Sequence, residues 1–413
     1  MNNIQIDSSR LSAELDTLAG FSATPAPSVT RIVFSEEDLR ARSWLKDLCS
    51  TAGLQVREDA IGNTFARWAG SEPSLPAVGS GSHIDAIPHS GRYDGTVGVL
   101  GALEAIRALQ QAGARPRRSI ELLLFTSEEP TRFGIGCLGS RLLSGSLPPS
   151  AGETLRDKHG ASLNAVRAAA GFSGDLESVR LSPDYYSAFL ELHIEQGPLL
   201  EERNVALGVV TAIAAPASVR ILIEGQGGHA GAVLMPGRHD AFLAAAEIAL
   251  ALEALAKSTG ALDSVATTGV CDVFPGAVNS IPSRVRLETD IRDTDAVRRD
   301  GMVQALEDLC RRISAARGVV VTTEMINRDA PAICDAKLIA ILCEACADLS
   351  FDHMVSRAYH DSLFMSRLFP VAMLFIPCHE GYSHRPDEYA SPASIAQGVF
   401  VLANALLKAA NLG

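Results

Sequence analysis

Five short segments of the chain carry side chains whose types and spacing could bind metal ions. They are Gly81-Ser82-His83-Ile84-Asp85, Gly91-Arg92-Tyr93-Asp94-Gly95, Thr126-Ser127-Glu128-Glu129-Pro130, Glu191-Leu192-His193-Ile194-Glu195-Gln196-Gly197-Pro198 and Gly381-Tyr382-Ser383-His384. In an extended chain residues i and i+2 share a face, so His83 and Asp85 are expected to project together. The Asp85 carboxylate would then receive the ring N–H that His83 does not use for a metal. Asp94 can bridge two cations with its two oxygens, and the glycines around it let backbone come close to them. Adjacent Glu128 and Glu129 cannot both reach one ion from regular backbone. One can ligate while the other faces a water, which is the division of labour that metal-assisted hydrolysis needs. Three histidines, a bridging aspartate and a glutamate form two N/O-rich sites without thiolate, a donor set suited to Zn, Mn, Co or Ni. Taken singly, each has a plainer reading: a hydrogen-bonded strand-end histidine, a solvated glutamate pair, a simple turn. What makes them a candidate site is their shared placement.

That placement comes from the elements before them. Apolar runs at 77–82, 120–126, 188–194 and 371–376 predict four buried strands, and each candidate ligand follows one of them. Open α/β sheets bind ligands at the carboxyl ends of their strands. Helical patterns lie between: an opening helix, a second one N-capped by Ser35 and carrying Leu39, Trp44, Leu45 and Leu48 to Gly53, and a third over 99–110. In the third, Glu104, Arg107 and Gln111 share one face. The class is α/β, a mixed central sheet flanked by helices. The middle differs. Strand 219–224, helix 240–257, strands 265–273 and 284–290, helix 296–316 and strand 319–325 run β-α-β-β-α-β, the ferredoxin-like order. The expected division is a catalytic domain over 1–214 and 329–413 with an inserted α+β domain over 215–328, hinged near Pro216 and Pro331. Residues 144–184, rich in Ser, Gly, Ala and Pro, are expected to be a covering excursion around one helix.

Bulk properties exclude several classes. At 413 residues two domains are the default, and 47% hydrophobic with 20% charged residues describes an ordinary globular chain. A net charge of −12 argues against a nucleic-acid partner. No continuous apolar run reaches the roughly 18 residues that span a bilayer, and the polar, acidic start lacks a signal pattern, so no membrane partner and a cytoplasmic location are expected. Eight irregularly spaced cysteines fit neither a disulfide framework nor a zinc cluster. The pair Cys343 and Cys346 lies in an apolar helical stretch and reads as buried thiols.

With Gly228-His229-Ala230-Gly231 added, the ordered motifs resemble the aminoacylase-like dinuclear metallohydrolases over almost the whole chain from about residue 20. Within them the chain is similar to the hydantoinase/carbamoylase branch. That branch holds N-carbamoyl-L-amino acid hydrolases, β-ureidopropionases, allantoate amidohydrolases and ureidoglycolate amidohydrolases. The resemblance implies a zinc-exopeptidase-like catalytic domain with a ferredoxin-like lid and dimerisation domain. It implies two divalent ions per subunit, Mn or Zn, with Co or Ni also suitable. His83 and His193 would hold one, Glu129 and His384 the other, with Asp94 bridging and Glu128 as base beside Asp85. It further implies a homodimer formed through the inserted domain. Gln196, His229, Asn279 and Arg292 match substrate-contacting positions, with His229 reaching a neighbouring subunit's site to stabilise the oxyanion. An arginine fork at 292 suits a substrate carboxylate. The stretch Ser356-Arg357-Ala358-Tyr359-His360-Asp361-Ser362 departs from the small glycine-rich segment of carbamoylases and allantoate amidohydrolases. Tyr359 would fill pocket volume and offer a hydroxyl, with His360 beside it. The expected substrate is therefore a small ureido acid, with ureidoglycolate ahead of N-carbamoyl amino acids and allantoate. A non-catalytic metal-binding homologue would be expected to have lost the base or a ligand, and all six positions are filled.

Overall fold

The computed structural model describes residues 4–412, which form two compact units. The first comprises residues 4–211, Ile333–Met354 and residues 359–412; the second comprises Ala212–Ala332 and Val355–Ala358. The first unit begins with α1 (Ser8–Ala19), α2 (Glu36–Thr51), β1 (Gln55–Glu58), β2 (Thr64–Trp68), β3 (Ala77–His83) and α3 (Thr96–Gln111). It continues through β4 (Ile120–Phe125), α4 (Leu138–Ser144), β5 (Tyr186–Ile194) and β6 (Leu207–Ile213). The second unit then supplies β7 (Ala215–Glu224), β8 (Gly228–His229), α5 (Ala241–Ser258), β9 (Val265–Phe274), β10 (Ser280–Ile281), β11 (Arg284–Asp293), α6 (Ala296–Arg317) and β12 (Val320–Arg328). The remaining elements are β13 (Ala332–Ile333), α7 (Ala336–Cys346), β14 (Phe351–Ser356), β15 (Val371–Ile376) and α8 (Pro392–Ala410).

Among the described residues the main sheet has nine strands in the order β13-β6-β15-β5-β3-β4-β2-β1, with β14 beside β6. Its centre, β15, β5, β3 and β4, is parallel, while β6 and β2 pair antiparallel on either side. The four central strands are the four apolar runs of the sequence. They are buried on both faces, so no alternation is needed. His83 lies beside Phe125 and Ile194 beside Ile376, so the strands finish together and their following loops share one edge.

Helices α3 and α8 pack together over β5. The Glu104 and Arg107 face of α3 is covered by α1. Glu104 is fully buried, with Arg10 Nη2 2.6 Å away, and Arg107 pairs with Glu14 at 2.8 Å. Helix α8 has the length and mean hydropathy of a membrane span, which a search for unbroken apolar runs passes over. About 56% of that stretch is buried within the fold, the mark of a core helix. Residues 144–184 are not a superficial cover. They form two short helices, Pro149–Thr154 and Leu163–Ala169, and send Leu163, Val166, Phe172, Leu176 and Val179 into the same core as Phe125 and Phe189. The spacing of their apolar residues was too irregular to announce this. Cys346 is buried and Cys343 only partly so; both are free thiols, as are the other six cysteines.

The second unit's sheet is antiparallel in the order β9-β11-β7-β12. With α5 and α6 this is the ferredoxin-like arrangement. Val219, Ile221 and Ile223 of β7 and Val285, Leu287 and Ile291 of β11 alternate inward, meeting Ala244, Ile248 and Leu252 of α5 and Leu306 of α6. Among the outward residues Arg220 bonds Glu288 at 2.9 Å and Glu324 at 3.0 Å.

A buried ion pair within α2 ties that helix to the loop after β4. Arg42 Nε donates to Asp38 Oδ2 at 2.8 Å, and its Nη1 reaches the Gly62 carbonyl at 2.8 Å and Thr126 Oγ1 at 3.3 Å. Removing one partner of such a pair leaves a desolvated charge. Arg42→Ala should therefore cost about 3–5 kcal/mol in the first unit, measured by chemical denaturation. A loss below about 1 kcal/mol, the scale of an exposed pair, would reject that role.

Candidate metal centre

The edge formed by the four parallel strands gathers a compact group of titratable side chains, all in the first unit. His83 is the last residue of β3 and His193 the penultimate residue of β5; Glu128 and Glu129 follow β4, and His384 follows β15. Asp94 stands immediately before α3. Its successor Gly95 has φ +67, and a Cβ there would lie 2.5 Å from the His83 ring, so only glycine lets the aspartate and imidazole approach. Ser127, Gln196 and His384 also have left-handed backbone, with φ of +59, +56 and +61. Such conformations are sparse for side-chain-bearing residues and concentrate at functional loops.

Asp94, 7% exposed, is the focus. Its Oδ1 lies 3.2 Å from His193 Nε2 and 3.7 Å from His83 Nε2, while Oδ2 lies 3.1 Å from His384 Nε2. His384 Nε2 is also 3.2 Å from Glu129 Oε1, and His83 Nε2 is 3.7 Å from Glu128 Oε2. Ligand atoms of His83, Asp94 and His193 thus cluster on one side, and those of Asp94, Glu129 and His384 on the other. The far ring nitrogens are tied down. His83 Nδ1 lies 3.0 Å from the Asp85 carbonyl and His193 Nδ1 lies 2.9 Å from the Ile194 carbonyl. Donating there keeps the proton on Nδ1 and leaves Nε2 as the nitrogen that faces Asp94, the one a metal ion would take in place of a proton. The Gly95 nitrogen lies 3.2 Å from His193 Nε2.

The electrostatics follow from crowding. Burial disfavours protonation of His83, but Glu128, Asp94 and Asp85 outweigh it and raise its pKa well above the usual imidazole range. His193 is raised in the same way by Asp94 against its own burial, and His384 is pushed up to about 11 by Asp94 and Glu129. Burial would raise Asp94, yet the three imidazoles hold it well below the ordinary carboxylate range. Glu128 is driven well upward by burial and by Glu129, Asp361 and Asp94. A site that draws positive charge onto every histidine is one in which divalent cations would be accommodated. The nitrogen and oxygen donors, with no thiolate among them, fit such ions.

Two expectations need correction. Asp85 does not receive the His83 ring N–H through its carboxylate, which lies 3.8 Å away; the Asp85 main-chain carbonyl does. The strand ends at His83, so the i, i+2 alternation does not extend to Asp85. Its carboxylate instead accepts the main-chain N–H groups of Glu128 (3.2 Å) and Glu129 (3.0 Å), fixing the glutamate loop. The Tyr359 hydroxyl is not simply presented to a ligand. Arg141 Nη2 donates to it at 3.2 Å, and its ring stacks on Phe364 at 5.9 Å between centroids.

Gln196 donates through Nε2 to Asp94 Oδ2 at 2.9 Å and to Ser383 Oγ at 3.0 Å, inside the group. The buried His360 ring meets His193 edge-on at 4.5 Å. His229, Asn279 and Arg292 lie in the second unit. His229 is exposed on β8 and Asn279 is exposed just before β10, where Ala230 N–H donates to the Asn279 carbonyl at 2.9 Å. Arg292 Nε donates to Asp290 Oδ1 at 2.7 Å and Nη1 to the Arg357 carbonyl at 2.9 Å, so its fork already holds a carboxylate. Sequence reading missed Cys137, whose thiol lies 3.3 Å from Glu128 Oε1, and Glu388, which is 4% exposed and bonded beneath Asp94. The signal for Glu388 is its place as an acid four residues after His384; nothing local marks Cys137.

Residues 79–408 match peptidase family M20/M25/M40. The chain is 51% identical to the ureidoglycolate hydrolase of Arabidopsis thaliana over 98% of its own length and 87% of that protein's. The crystal structure of AtUAH in complex with glyoxylate has 50% identity and a TM-score of 0.91, covering 98% of both chains. A hydantoinase/carbamoylase family amidase from Burkholderia vietnamiensis, 34% identical, also has a TM-score of 0.91 and covers 99% of both chains. With a family match across most of its length and the ligand geometry described above, this chain belongs to peptidase family M20/M25/M40.

Proposed function

We propose that the protein is a dinuclear-metal amidohydrolase that cleaves the ureido C–N bond of ureidoglycolate. The observation that carries the chemistry is the convergence of three imidazoles and Glu129 on the two oxygens of one buried aspartate. The substrate is inferred from the relatives, a ureidoglycolate hydrolase and AtUAH structures in complex with glyoxylate and (S)-hydroxyglycine. His83, His193 and Asp94 would hold one divalent ion, and Asp94, Glu129 and His384 the other; Mn or Zn suits these donors best. When bound, the ions supply Lewis acidity toward the ureido carbonyl and acidify the attacking water.

The remaining work belongs to the chain. Glu128, held by Asp85 through its main-chain N–H, takes the proton of the water and returns it to the leaving nitrogen. Cleavage releases hydroxyglycine and carbamate, which break down to glyoxylate, two ammonia and carbon dioxide. Gln196 Oε1 is buried without a hydrogen-bond partner among the described residues, and it suits an N–H donor of the ureido group. We assign Arg292 to the substrate carboxylate, with Asp290 the group it exchanges, and Asn279 and His229 to substrate contact, His229 stabilising the oxyanion. Tyr359, braced by Arg141, and His360 limit the pocket. A homodimer through the second unit is supported by Phe242, Leu243 and Leu250, large apolar side chains exposed on α5.

The direct test is glyoxylate and ammonia release from ureidoglycolate beside allantoate and N-carbamoyl-L-amino acids, with Mn²⁺ supplied. Ureidoglycolate should be turned over fastest, and turnover of carbamoyl amino acids alone would reject the substrate assignment. Glu128→Gln should lower kcat by about 10²–10⁴-fold while Mn²⁺ binding and fold persist. Activity close to wild type in that variant would remove Glu128 as base. Arg292→Ala should act mainly through KM, raising it by at least about ten-fold, since a charged hydrogen bond is worth about 1.5–3 kcal/mol. An unchanged KM would count against the carboxylate clamp.

A further inference from the structure

Glu388 is a buried acid that the reaction does not use. Its Oε1 accepts the main-chain N–H groups of Tyr93 at 2.7 Å and Asp94 at 3.1 Å, and its Oε2 accepts the Ser383 hydroxyl at 3.0 Å. Both oxygens are therefore committed, and Glu388 belongs to neither ligand group around Asp94. The approach depends on Gly91, where a Cβ would lie 2.3 Å from the Glu388 Cβ. Ser383 is the neighbour of His384 in the chain and lies 3.3 Å from Asp94 Oδ2. One carboxylate thus spans two loops almost 300 residues apart: the one carrying Asp94 and the one carrying His384.

The second of those loops needs holding. His384 has a left-handed backbone and a side chain 47% exposed, so packing alone does little to fix it. His83 and His193, by contrast, are on buried strands with their Nδ1 atoms anchored. We propose that Glu388 is a positioning residue that clamps the Asp94 loop to the His384 segment and so sets the affinity of the Asp94–Glu129–His384 metal position. The inference rests on the two-metal reading. It assigns the two positions unequal dependence on the C-terminal segment.

The test is calorimetric titration of the chelator-stripped protein with Mn²⁺ alone. Wild type should bind two ions, and His384→Ala should lose one of them. Glu388→Ala should weaken the second ion by about 10–100-fold, the usual scale for a partner behind a metal ligand, and leave the first within about three-fold. Glu388→Gln keeps an acceptor for the two amides and a group that can pair with Ser383, so it should stay close to wild type. Equal affinities in Glu388→Ala and wild type would overturn the proposal. So would a Glu388→Gln loss as large as that of alanine, because charge rather than the clamp would then govern. Should the alanine variant fail to fold, Ser383→Ala cuts the same link from the other side. It should weaken the second ion selectively, and an unchanged second affinity overturns the clamp. A wild type that binds one ion, or a His384→Ala protein that still binds two, rejects the two-metal reading itself.

Discussion

A group of carboxylates, among them those of Asp85, Asp94, Glu128, Glu129, Glu191, Glu195, Asp361 and Glu388, is buried around one end of a parallel sheet, and the first unit is organised to make that tolerable. Unpaired, each would cost several kcal/mol of lost hydration. Three answers recur. Some acids take backbone N–H groups, as Asp85 does from the glutamate loop and Glu388 from the Asp94 loop. Others take hydroxyls: Glu191 accepts Ser82 Oγ at 2.8 Å and Ser362 Oγ at 2.6 Å. Asp94, Glu128 and Glu129 are left facing imidazoles, and there the positive charge drawn onto the histidines marks where cations would be stabilised.

The parallel sheet solves the positioning problem. Four strands buried on both faces cannot slide without breaking the core, so their carboxyl ends stay in register. The loops that follow carry left-handed residues at Ser127, Gln196 and His384, at a cost of about 1–3 kcal/mol each. Arg42 and Asp85 then pin the glutamate loop from two directions. The candidate metal ligands are thereby held by the buried sheet. The groups assigned to substrate choice on the second unit, His229 and Asn279, instead sit exposed on or beside a two-stranded ribbon.

Much of this was legible in the residues. The runs ending near Ser82, Thr126, Ile194 and Ile376 read as buried strands because they are short, mostly apolar or small-residue stretches of strand length. The β-α-β-β-α-β order of the second unit was legible as a succession of strand and helix patterns, and the structure adds Asp240 and Asp295 as the caps of α5 and α6. Residues 144–184 misled because short helices with irregular apolar spacing carry no period to detect. Asp85 misled because a strand's alternation was extended past the strand's end.

By itself, then, the sequence determined which residue types follow which strands, since period and composition are local properties of a chain. It placed His83, Asp94, Glu128, Glu129, His193 and His384 at or after the ends of strands and supplied a donor set without thiolate. Only the tertiary structure decided that the two Asp94 oxygens face different histidines and that Glu388 reaches under Asp94. It alone engaged the Arg292 fork with Asp290 and set the Cys137 thiol against Glu128. Apart from the Arg292 pair and the Cys137–Glu128 contact within one loop, these are contacts between segments far apart in the chain. They depend on how loops close once the strands are packed, and no local pattern encodes that.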